Sequence, residues 1–476
     1  MPVIFVKRFL KVLFFLMLFL VAFVLAIWIT DSYQTRYLNL SESVAQNSFL
    51  LTNVQILPMN RDTVLSNHAV RIENGIITAV GEQVSDNGLS VIDGKGSYLL
   101  PGLTDMHVHV WDKYELGLYL ANGVTAVRNL WGQPMHLRLK KALNAGELAG
   151  PLFFSSGPKL TGPEFIGDDN TQLNSISESQ DAVDAAKKAG YDLIKTYYNL
   201  PADYFEAIRQ RAGKLKMDIA AHPTPNVPYT AHFTEGIVTV EHAEDVVQQP
   251  LRFNLDSVKL DSVVRAIGGG KGTSFTPTLT VFHNIYEMLD NPDILNAPQM
   301  DFMNPMIRRV DSKAQVDRWV GSLSRDSTLA TRILEQHKFH LKIVEAFHRS
   351  GINLVCGTDA GIGITVPGNA LHQELQFYKE AGLTNFEVLQ TATFNASKTH
   401  EFLSDTGSIQ VGKIANLVLL SKNPMEQLES LKNPDYVFVR GRVFSSEKLA
   451  YFREKGRDRP NLLMSFLRYA EYLLSK

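Results

Sequence analysis

Between residues 102 and 358 the chain alternates short apolar, strand-like runs with helix-like stretches, and this alternation constrains the fold more than any other feature. It is the pattern of βα units on a parallel sheet, because each helix must carry the chain back along the sheet before the next strand can start. The runs lie at 102–107, 123–129, 152–156, 191–195, 218–221, 237–241, 274–277 and 353–358. Eight such units close a barrel, so the expected class is α/β with a (β/α)8 TIM barrel. A chain of 476 residues with 45% hydrophobic content can form that barrel and a smaller domain besides. The last connection is long, about 279–350, and its charged, Met-bearing helical patches suit either a cap over the barrel or a solvated surface excursion.

The flanks read differently. Short β-like segments at 49–56, 69–72, 75–80 and 90–93 are separated by turn signals such as Asn74-Gly75 and Asp93-Gly94. The same texture returns at 415–420 and 436–441, so both flanks are expected to build one small β-sandwich. At the N-terminus, Lys7, Arg8 and Lys11 precede an unbroken apolar run at 12–29, nearly long enough at 1.5 Å per residue to span a bilayer core. The run lacks a small-x-small cleavage site, which favours an uncleaved signal anchor. The preceding positive charges favour a cytoplasmic N-terminus and a catalytic body outside the cytoplasm, periplasmic or extracellular. The expected division is a cytoplasmic N-terminus (1–11), a transmembrane anchor (12–30), a linker (31–46), sandwich halves (47–100 and 401–450) around the barrel (101–400), and a C-terminal helix (451–476). Within that last segment, 462–474 is amphipathic, with packing on the body the plainest use.

A formal net charge of −2 without long runs of one sign excludes a nucleic-acid surface. Cys356 is the only cysteine, so an intramolecular disulfide and a cysteine-based zinc site are excluded too. Within an apolar strand it reads as a small buried hydrophobe. Any metal must be held mainly by histidine and carboxylate.

In such barrels the chemistry sits where the strands end. His107 and His109 form a His-x-His pair at the end of the first run, and alternate strand residues share a face. Alone the pair is a weak signal. Lys195 ends the fourth run, His222 the fifth, His242 the sixth and Asp359 the eighth, all but one of them metal-ligating residue types as they stand.

With these residues the sequence resembles the amidohydrolase superfamily, in its imidazolonepropionase-like and prolidase-like branch. The matching stretches are Leu100-Pro-Gly-Leu-Thr-Asp-Met-His-Val-His109, Leu193-Ile-Lys-Thr196, Ala221-His222, Val240-Glu-His242, Gly357-Thr-Asp-Ala-Gly361 and Gly407-Ser-Ile-Gln-Val-Gly-Lys-Ile-Ala-Asn-Leu-Val418. The resemblance implies two divalent ions, zinc by expectation. His107, His109 and Asp359 would hold one, His222 and His242 the other, and Lys195 would bridge both after carboxylation by CO2. An ammonium has no lone pair to offer a cation, whereas a carbamate has two anionic oxygens. The metals would activate a water and polarise the scissile carbonyl, with Asp359 as general base and then acid.

Further candidates are Tyr197 and Tyr198, which follow the bridging lysine and suit substrate contact or core packing, and His372 and Glu374, on a helix after the eighth strand, as supports of the ligands. His68, His136, His232, His283, His337, His340, His348 and His400 match no motif and read as structural or surface residues. Asn416 stands where the family more often has Asp, and 162–170 carries no glycine-rich substrate loop. The expected activity is hydrolysis of a C–N bond in a small-molecule or dipeptide substrate, dipeptidase- or prolidase-like. The alternatives are a cyclic amide or amidine hydrolase or deaminase, which commonly lacks the bridging lysine, and a non-catalytic metal-binding scaffold. A homo-oligomer is compatible with the sequence.

Overall fold

The computed structural model describes residues 2–40, 47–164 and 170–475; 41–46 of the expected linker and 165–169 after the third strand lie outside the described residues. Seven parallel strands pair in chain order: Leu103–Val108, Val124–Asn129, Leu152–Thr161, Leu193–Thr196, Asp218–Ala221, Ile237–Glu241 and Ser274–Thr276. Their nearly continuous burial is that of a parallel sheet covered by helices. The third strand runs five residues past its expected end, through Gly157 and Pro158. Its pairing with Leu193–Thr196 shifts register there, so the irregularity is absorbed and the strand continues.

The eighth place differs in kind from the expected strand. Residues 353–360 follow an irregular path fixed by isolated bridges, Phe275↔Leu354 on one side and Val108↔Ala360 on the other. Backbone bonds such as Met106 N to Cys356 O and Asp359 N to His107 O cross this seam, and Asp105 braces it, its carboxylate accepting from the backbone N–H groups of His107 and Thr358 and from the Thr358 hydroxyl. The barrel is thereby nearly closed, with one seam held by irregular backbone bonds and a side-chain brace.

The flanks form a single eight-stranded sheet in the order Arg442–Ser445, Tyr436–Val439, Leu417–Leu420, Tyr98–Pro101, Phe49–Ile56, Leu65–Glu73 and Ile76–Gly81, with Val91–Asp93 beside Phe49–Ile56. Tyr98–Pro101, unread in the sequence, pairs antiparallel with Leu417–Leu420 and so joins the halves. The sheet curls over its own core: Phe49 and Phe438, three strands apart, stack at 5.5 Å, and Ile76 bridges to Ile414.

The N-terminal helix, Pro2–Gln34, contains a stretch long and apolar enough to cross a membrane, Val6–Gln34. It outruns the expected 12–30 span, and the chain after it is docked rather than free: Leu38 is fully buried, and Asn39 bridges to Leu148. The C-terminal segment is two helices, Ser446–Gly456 and Leu462–Ser475, instead of one. Between them Arg459 pairs with Asp112 at 2.9 Å and Glu115 at 3.0 Å, all fully buried. The long connection folds into helices Leu279–Asp290, Lys313–Leu323 and Leu329–Arg349.

Candidate metal centre

The six predicted ligand positions meet at the carboxyl ends of the strands, in a cavity of about 350 Å3. His107 lies in the first strand and His109 just beyond it, rings 5.5 Å apart. Lys195 lies within Leu193–Thr196, while His222 and His242 directly follow their strands. The rings of His107 and His242 are 4.9 Å apart, and those of His222 and His242 4.6 Å. Ligating atoms of His107, His242 and Asp359 all lie within 4.8 Å of one another. Asp359 Oδ1 is 2.7 Å from His109 Nε2 and 3.2 Å from His107 Nε2.

The backbone is bent to reach this arrangement. His242 and Asp359 have φ of 69° and 61°, a region that costs a non-glycine residue about 1–3 kcal/mol and persists where its surroundings dictate it. The glycines of the Gly357-Thr-Asp-Ala-Gly361 run act as spacers. A Cβ on Gly361, whose φ is 102°, would fall 2.0 Å from the His109 carbonyl oxygen, and one on Gly357 would fall 2.9 Å from the His107 nitrogen.

The histidines are turned and held by partners. His107 Nδ1 donates to Glu241 Oε2 at 2.8 Å, which leaves Nε2 for the cavity. His242 Nδ1 is 2.8 Å from Thr278 Oγ1. His222 Nε2 is 3.4 Å from Asp245 Oδ2, while its Nδ1 is buried without a hydrogen-bond partner among the described residues. Burial brings the His107 imidazole down to about 4, with Lys195 adding to the effect, and pushes His222 and His242 well below their ordinary value. Neutral imidazoles are the form that binds a cation. Burial likewise lowers Lys195 to about 8, and its Nζ has no hydrogen-bond partner among the described residues. An orphaned buried amine is costly, and the convergent neutral imidazoles and carboxylate around it are the donor types that hold a cation. The donor set therefore fits divalent metal.

Sequence reading missed the residues that support the ligands from across the barrel. Arg128 donates to Glu241 Oε1 at 2.8 Å, to the Met106 carbonyl at 2.6 Å and to Thr239 Oγ1 at 2.7 Å, and it meets His400 Nε2 at 2.9 Å. His400 Nδ1 in turn is 2.7 Å from Asp218 Oδ2. Burial alone would raise the Glu241 carboxyl, but the Arg128 guanidinium and His107 more than offset it and hold it ionised. Only the Val240-Glu-His242 string hinted at Glu241. Glu244, also missed, lines the cavity, and burial with the Asp359 charge raises it to about 7.

The other candidates separate. Tyr197 lines the cavity with its ring 4.6 Å from His222, and Tyr198 stands behind at 6.0 Å. Glu374 is not at the metals: its carboxylate accepts from Leu279 N, Thr280 N and Thr280 Oγ1, and so caps the helix that begins just after Thr278. His372 lies in a different cavity, beside Leu428 and Lys432. The long connection does reach the site, through Phe282, Ile285, Gln315, Arg318 and Trp319.

A family model described as "Amidohydrolase family" matches residues 98–444. Ochratoxinase of Aspergillus niger is 23% identical over 445 residues, 83% of this chain and 86% of that protein. A 5'-deoxyadenosine deaminase of Methanosarcina acetivorans is 32% identical over 113 residues, 23% of this chain and 26% of its own. Among solved structures, bottromycin amidohydrolase superposes with a TM-score of 0.72 at 22% identity, covering 89% of this chain and 92% of its own. A Xaa-Pro dipeptidase with bound methionine does so at 0.64 and 20%, covering 83% and 99%. Since the matched span runs from the strand that joins the two flanks, through the whole barrel, into the last strand of the second sheet, the chain belongs to the amidohydrolase family and is a hydrolase of carbon–nitrogen bonds.

Proposed function

We propose that the chain is a membrane-anchored amidohydrolase with two metal ions, zinc by preference, that cleaves an amide or peptide-type bond in a small, dipeptide-like substrate. The observation that carries this reading is the Lys195 amine, buried and without a partner among imidazoles and a carboxylate. A lysine lowered to about 8 by burial has far more of the neutral amine that reacts with CO2 than an ordinary lysine has near neutral pH, and the resulting carbamate would give an anionic bridge where an ammonium would repel cations. His107, His109 and Asp359 would hold one ion, His222 and His242 the other, with Lys195 between them. Bound there, the metals supply Lewis acidity and lower the pKa of water.

The chain's own residues do the rest. Asp359, beside His107 and His109, accepts the proton of the attacking water and returns it to the leaving nitrogen. Glu241 and Thr278 fix the orientation of His107 and His242. Trp111, Trp131, Phe282 and Trp319 give the cavity apolar walls, while Lys159, Gln315 and Arg318 add polar and basic groups. Such a lining suits a substrate with an apolar side chain and an acidic end, as a dipeptide has. A lysine at the bridging place favours amide cleavage over deamination, and the intact donor set gives a scaffold nothing to do.

The helix with exposed apolar residues throughout Phe9–Val24 supports a single span, and Lys7, Arg8 and Lys11 before it support a cytoplasmic N-terminus with the catalytic body on the far side. The deciding experiment is metal analysis of the purified chain, followed by turnover assays on dipeptides, N-acyl amino acids, cyclic amides and aminopurines. Two metals per chain and preference for dipeptides are expected. Less than one metal after supply of zinc and bicarbonate overturns the binuclear site, and preference for an aminopurine overturns the substrate class. A C-terminal topology reporter is expected to be active only outside the cytoplasm.

A further inference from the structure

The foot of the N-terminal helix opens onto a groove of about 1340 Å3. One wall is Val24, Leu25 and Trp28, the other is Leu467 and Leu474 of the C-terminal helix, and Met135 lies between. At one end the lining turns polar. Asp31 Oδ2 accepts from Arg468 Nη2 at 3.0 Å, with both side chains largely buried, and Asp31 Oδ1 is buried without a hydrogen-bond partner. Lys113 lines the same end, half-buried, with no salt bridge to the described residues, and the Asp31 carboxylate is the anionic group that acts on it.

We propose that this groove binds a membrane glycerophospholipid, its phosphodiester against the Lys113 ammonium and its acyl chains along Val24, Leu25, Trp28 and Leu474. The inference rests on the reading of the N-terminal helix as a membrane span. If that helix spans the bilayer, the groove is at the boundary of the hydrocarbon, because Val24 and Asp31 are about 10 Å apart along the axis and straddle the end of the apolar run. An occupant must then be apolar at one end and charged at the other, within that length. The C-terminal helix exposes Leu463, Phe466, Leu473 and Leu474, the last at 89%, as a helix lying in an interface does. The same helix packs Tyr469 on Trp111 at 6.1 Å and Tyr472 on Trp131 at 6.0 Å. Both tryptophans wall the metal cavity, so a bound lipid braces the helix that supports the substrate cavity.

The test uses the full chain in nanodiscs of mixed phosphatidylcholine and phosphatidylglycerol, then native mass spectrometry after gentle release. Wild type is expected to retain one phospholipid. Lys113→Glu and Leu474→Asp, made separately, are each expected to lose it while keeping wild-type metal content and melting temperature. If wild type retains none, if both variants retain as much as wild type, or if the chain emerges as a lipid-free dimer, the proposal is overturned. Alkaline extraction of native membranes tests the anchor by itself: release of the chain defeats the membrane reading, whereas retention without bound lipid defeats only the groove.

Discussion

Lys195 is the residue on which the proposed chemistry turns. Lys195→Ala removes the side chain proposed to bridge both halves of the donor set, so turnover should fall at least ~100-fold. Short carboxylic acids added to the assay should restore part of it, because a carboxylate can occupy the space of the lost carbamate; full activity without them would mean the bridge is misassigned. Glu241→Gln asks a different question. It leaves the fully buried Arg128 guanidinium without its charge partner, a change that costs about 3–5 kcal/mol, and weakens the hold on His107, which should lower metal affinity ~10–100-fold. Thermal unfolding and competition with a zinc chelator read the two effects separately. These residues also mark how much of the site the letters carry. The six candidate positions were legible because each ends a strand and sits in a short local motif. Glu241 and Arg128, 113 positions apart in the chain, meet only across the closed barrel. No local pattern announces such a pair, nor the link through His400 to Asp218.

At the scale of elements, regular strands were legible and the irregular seam was not. Residues 353–358 read as an eighth strand because they are apolar, yet the path is irregular: Asp105 braces Thr358 by side chain, and Asp359 turns at positive φ with its N–H on the His107 carbonyl. Apolar patterning reports burial, and it is silent on which partner satisfies the backbone. The long connection was ambiguous for the same reason, since its mixed charged and apolar letters do not say that Phe282, Ile285 and Trp319 reach the cavity. Glu374 anchors this cap to the barrel by binding the first turn of Leu279–Asp290. Burial raises its carboxyl from 4.5 to about 7 against the pull of those hydrogen bonds. The group binds its proton more tightly folded than unfolded. Its contribution is therefore fully present below pH 4.5 and lost as pH rises through about 7. A shift of that size is worth about 3 kcal/mol. Glu374→Gln, which cannot ionise, should start less stable for want of an acceptor, and the gap to wild type should narrow from about pH 5 to about pH 8. Melting curves across that range check it; a constant gap would show that Glu374 is ionised throughout.

The whole molecule is tied together by its ends, which the sequence presented as accessories. The stretch expected as a linker is held on several sides: Leu38 is fully buried in the main core, its carbonyl accepts from Ala149 N at 2.7 Å, and Leu40 N donates to Glu147 O at 3.0 Å. Tyr37 packs between Tyr114 and Phe452, at 6.1 and 6.0 Å, so it touches both the barrel and the C-terminal segment. Asp31 reaches Arg468 on the last helix, and Arg459 fastens that segment to Asp112 and Glu115. None of this shows in a polar run of sixteen residues, because each contact is made with a partner more than seventy positions away. A soluble body should accordingly begin at residue 31, not at residue 41. Losing one buried leucine costs about 2–5 kcal/mol, and the later start also removes Tyr37 and the Asp31–Arg468 pair. The version from 41 should therefore melt at least ~5 °C below the version from 31. It should also expose Tyr469 and Tyr472 to faster hydrogen exchange nearby, since their helix has lost its tie. Equal melting temperatures would mean that 31–40 merely rests on the body, and that the apolar N-terminal helix is joined to the enzyme by a tether instead of a seat.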